Sequence, residues 1–69
     1  MSAPSDLAEL SSLSAQLEEL CGRVAAIATR YQGTPDSAVS VDLFEAERAL
    51  ISAGRVLRRA LTSLGELAG

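Results

Sequence analysis

A chain of 69 residues makes one small domain, and with Tyr31 and Phe44 as its whole aromatic inventory any burial must come from Leu, Ile, Val and Ala packed along helices. Its formal charge of −3 and pI near 4.6 disfavour generic binding to nucleic acid or to anionic membranes, both of which need a positive field. The absence of His excludes Ser-His-Asp catalysis and Glu-x-x-His di-iron sites, and the single Cys21 excludes an intrachain disulfide and leaves structural zinc without a ligand set.

The first residues, Met-Ser-Ala-Pro-Ser-Asp, carry neither a basic region nor a continuous apolar stretch, so they read as a short disordered tail over 1–5 and not as a signal peptide. No run approaches the roughly 20 apolar residues that a membrane helix needs. Together with the lone thiol, this predicts a cytoplasmic protein with no membrane partner. Every basic residue is Arg, which alongside abundant Ala suggests a high-GC genome.

The spacing predicts a first helix over 6–31, capped by Ser5 or Asp6. Leu10, Leu17, Val24 and Tyr31 recur every seven residues, and Leu13, Leu20 and Ile27 follow three residues after the first three. Gly33 suits the left-handed position that closes a helix, and Pro35 forbids helix through Thr34. A loop over 32–41 is therefore expected. A second helix over 42–67 follows, starting from Ser40 or Asp42, with Asp42 and Glu45 in a capping-box-like arrangement.

The second helix repeats the pattern. Leu43, Leu50, Leu57 and Leu64 are spaced by seven, with Ala46, Ala53, Ala60 and Leu67 three residues on. A seven-residue repeat puts an apolar seam on each helix, and a seam must be buried against another helix. Ser14, Cys21 and Ala28 form a small-residue flank on the first helix. Antiparallel folding brings Cys21 level with Ala53 and Gly54, so small residues meet at mid-hairpin.

The predicted fold class is all-α, an antiparallel two-helix hairpin that dimerises into a four-helix bundle, because a hairpin this small lacks a core of its own. On the first helix the expected interface residues are Leu13, Leu17, Leu20, Cys21, Val24 and Ile27. On the second they are Phe44, Leu50, Ile51, Leu57, Leu61 and Leu64, with Phe44 and Ile51 to one side of the leucine row.

The polar candidates are few. Glu47 lies close to the leucine seam, where it is expected to pair with an arginine such as Arg30 of an opposing helix or to meet a partner. Arg48, Arg55 and Arg59 share one exposed stripe with Arg58 beside it, and Glu18 and Glu19 are expected near Arg55 as solvated ion pairs. Cys21 reads as a small buried hydrophobe, with a redox role as the rival. No nucleophile and base can be paired, and no cofactor or metal is expected.

The function expected from these features is a non-enzymatic protein–protein interaction or scaffolding module whose partner is a second copy of itself. Two rivals follow from the same residues. One is nucleic-acid binding through the Arg48, Arg55 and Arg59 stripe, disfavoured by the acidic charge. The other is an accessory subunit that completes a bundle with a larger helical protein.

Overall fold

In a computed structural model that describes residues 2–68, the chain forms two helices, α1 (Ala3–Tyr31) and α2 (Ser37–Ala68), with no strand among the described residues. α1 starts three residues before the expected Asp6. Ser2 is extended, with φ −120° and ψ 151°, and its hydroxyl accepts a hydrogen bond from the Ser5 N–H at 3.3 Å. Pro4 falls in the first turn, where a missing N–H costs nothing. Ser2 is thus the cap in place of Ser5 or Asp6, and Asp6 becomes the acidic residue of the first turn, facing the positive end of the helix dipole. Of the expected tail over 1–5, residues from Ala3 onward are helical, and Met1 lies outside the described residues.

Gln32 caps the far end of α1, and Gly33 takes the left-handed conformation at φ +73°. The Thr34 hydroxyl then does two jobs: it donates to the Tyr31 carbonyl at 2.6 Å and accepts from the Asp36 N–H at 3.2 Å. The Thr34 carbonyl accepts from the Ser37 N–H, and the Asp36 carbonyl from the Val39 N–H. Pro35 presets φ near −65°, a helical value, so the turn that ends α1 also nucleates α2. For this reason α2 begins at Ser37, not at Asp42, and the expected ten-residue loop shrinks to 32–36.

So short a connection makes the helices antiparallel neighbours. The molecule measures 52 × 15 × 14 Å, little more than the length of α2 alone, since 32 helical residues span about 48 Å.

The leucine rows at Leu10, Leu17 and Val24 and at Leu43, Leu50, Leu57 and Leu64 do turn inward, each residue at most half-exposed. Their companions are not those expected. The rows that accompany them lie on the other flank, Leu7, Ser14, Cys21 and Ala28 on α1 and Ser40, Glu47, Gly54 and Leu61 on α2. The physical reason is size. Small residues at most of these positions let the two backbones approach, whereas pairing through Leu13, Leu20 and Ile27 would hold them apart. Ala28 is fully buried and Ser40 nearly so, both at the turn end, and no large side chain is fully buried among the described residues.

Candidate interaction surfaces

The choice of companion row decides what the hairpin shows to solvent. Two apolar rows remain on one long face. Leu13, Leu20 and Ile27 of α1 are 44%, 46% and 40% exposed, and Ala46, Ala53 and Ala60 of α2 are exposed too. The contact of Leu17 with Gly54 puts Leu20 within two residues, about 3 Å, of the level of Ala53, and steps of seven in opposite directions do the same for Leu13 with Ala60 and Ile27 with Ala46. Near the open end of the hairpin Leu10, Leu13 and Leu64 border one shallow depression with Asp6 and Glu9, in keeping with that register.

The opposite long face is mixed. Phe44 and Ile51 lie there, beside a cleft of about 400 Å³ lined by Leu17, Cys21, Leu50 and Gly54 and edged by Glu18 and Arg58. Arg58 and Glu18 form an ion pair across the two helices. Their side chains are 64% and 60% exposed, so solvent screens the pair and its contribution is of order 0–1 kcal/mol. The sequence reading placed Glu18 and Glu19 near Arg55; the structure gives Glu18 to Arg58 instead. The signal was available in the spacing, because Glu18 and Arg58 each follow a seam residue directly, Leu17 and Leu57, and so stand at the same edge of the contact.

The twelve residues expected at an interface between molecules therefore divide into three groups. Leu17, Cys21, Val24, Leu50, Leu57, Leu61 and Leu64 are half-buried on the sides that face the neighbouring helix of the same chain. Leu13, Leu20 and Ile27 stand on the first long face, and Phe44 and Ile51 on the second. The alanines of α2, absent from the expected interface, complete the first face.

Arg48, Arg55 and Arg59 are exposed on the outer side of α2, where Arg55, Arg58 and Arg59 surround a depression floored by Ser52 and Val56. Glu45 and Glu66 stand in the same seven-residue row as Arg59, which breaks up the positive stripe. Glu47 is half-buried in the α1-facing row and forms no ion pair within the chain among the described residues. Cys21 is a half-buried free thiol at the wall of the cleft.

Among the described residues no cluster of His, Cys, Asp or Glu is arranged to hold a metal ion, and no helix is long and apolar enough to cross a membrane. Comparison with known protein families, with curated proteins and with solved structures finds no match to this chain.

Proposed function

We propose that the protein is a non-enzymatic helical hairpin that self-associates into a four-helix bundle and serves as a cytoplasmic protein–protein interaction or scaffolding module. Its surface area supports this. The hairpin exposes 4926 Å², whereas a compact monomer of its 7.2 kDa mass exposes about 4,100 Å². The excess of about 800 Å² equals what each partner covers in a stable interface of standard size. A second copy is the simplest cover, since twofold pairing closes on itself and four helices are enough to surround a core.

The chemistry of the surface argues against catalysis. The cleft beside Cys21 is mainly apolar, and its charged edge is Arg55 with the Arg58–Glu18 pair, in which the one carboxylate is engaged by a guanidinium and not by a nucleophile. Thermal unfolding over a range of protein concentrations tests the proposal. Folding coupled to dimerisation raises the midpoint as concentration rises, and a midpoint independent of concentration contradicts it.

A further inference from the structure

We propose that the second copy docks on the face formed by Leu13, Leu20 and Ile27 of α1 and Ala46, Ala53 and Ala60 of α2, with a twofold axis running parallel to the helices. This assignment rests on the self-association proposed above and goes further by fixing the face and the pairing.

Three features of the face select a copy of the same chain as its occupant. The first is shape. One helix presents a row of bulky side chains and the other, within two residues of the same levels, a row of methyl groups. A twofold axis parallel to the helices leaves every residue at its own height and exchanges the two rows, so Leu20 of each copy meets Ala53 of the other. All intermolecular helix pairs then have the same bulky-on-small contact and the same separation. An axis perpendicular to the helices would instead set leucine on leucine along one pair and alanine on alanine along the other, at unequal separations within the usual range of about 8–10 Å.

The second feature is area. The long side of the molecule, 52 × 15 Å, outlines on the order of 800 Å², and the rows from Leu13 to Ile27 and from Ala46 to Ala60 form about 21 Å of its centre. The third is charge. Between Leu13 and Ile27 and between Ala46 and Ala60 the two rows hold no ionisable residue, Asp6 continuing the bulky row at the open end, and exposed residues of opposite sign flank them at one height, Arg30 beside the bulky row and Asp42 beside the alanines. The parallel axis brings Arg30 of each copy to Asp42 of the other, so the rim pairs twice and the centre stays apolar.

Cross-linking tests the pairing. Leu20→Cys and Ala53→Cys are made in separate chains, each on a Cys21→Ser background, then mixed and oxidised with diamide. The expected product is the mixed disulfide, in several-fold excess over either homodimer. Predominance of the Leu20→Cys homodimer overturns the assignment in favour of the perpendicular axis. Absence of any cross-link in a sample of dimeric mass overturns the choice of face while leaving self-association intact. Monomeric mass of the unmodified chain defeats self-association itself, and this assignment with it. Charge exchange supplies a test without cysteines: Arg30→Asp weakens dimerisation and Asp42→Arg in the same chain restores it, whereas failure of the second change to rescue the first contradicts the parallel axis.

Discussion

Gly54 lies directly against Leu17: a methyl group on Gly54 would sit 3.6 Å from Leu17 Cδ2, ordinary van der Waals contact. The helices are therefore close at mid-hairpin, yet not so close that they require glycine there. Gly54→Ala is expected to stabilise the protein by about 0.5–1 kcal/mol through helix propensity, with a small gain in packing. Chemical denaturation measures it, and a loss of stability would show that the helices approach more tightly than described.

Gly33 is the opposite case. Its φ of +73° lies where an L side chain clashes with its own backbone, and nothing near it would gain from a methyl group. Gly33→Ala should cost about 1–2 kcal/mol, seen as a lower unfolding midpoint with helical content retained.

These two glycines show how much of the fold can be read from the residues. The stop at Gly33 and Pro35 follows from backbone chemistry, and the leucine registers follow from periodicity, so two helices and their turn are legible in the sequence. The boundaries are less so. Ser2 competes with Ser5 and Asp6 for the cap, and Pro35 both ends one helix and starts the next, which local preference alone does not reveal. The facing rows are the least legible. Leu10 and Leu17 have apolar companions on both flanks, and the choice between bulky Leu13, Leu20, Ile27 and small Ser14, Cys21, Ala28 depends on how near the partner helix comes, a property of two helices together. Once that choice reverses, Leu20 and Ala53 pass from seam to surface, and the candidate interface moves with them.

Leu50 belongs to the row that faces α1. Leu50→Asp places an unpaired carboxylate in the apolar seam and is expected to abolish association and most of the helical signal. Circular dichroism with sedimentation of the variant checks this, and retention of native size and helicity would contradict the seam.

The Glu18 and Arg58 pair sits at the surface, and its removal should matter little. Arg58→Ala is expected to change stability by no more than about 1 kcal/mol, less at high salt. A larger loss in denaturation experiments would mean that the pair is shielded from solvent, as by a bound partner on that face.

The outer arginines lead to a negative expectation. With a net charge of −3 and glutamates in the row of Arg59, the protein should not retard RNA or DNA even at low salt, where phosphate contacts are strongest. Retardation that disappears on charge reversal of Arg48, Arg55 and Arg59 would replace the proposed function with nucleic-acid binding.

Native mass of the purified chain across a dilution series tests the central claim most directly. The expected species has twice the 7.2 kDa chain mass and dissociates, with loss of helical signal, only on strong dilution. A stable, fully helical species of single-chain mass at high concentration would contradict it.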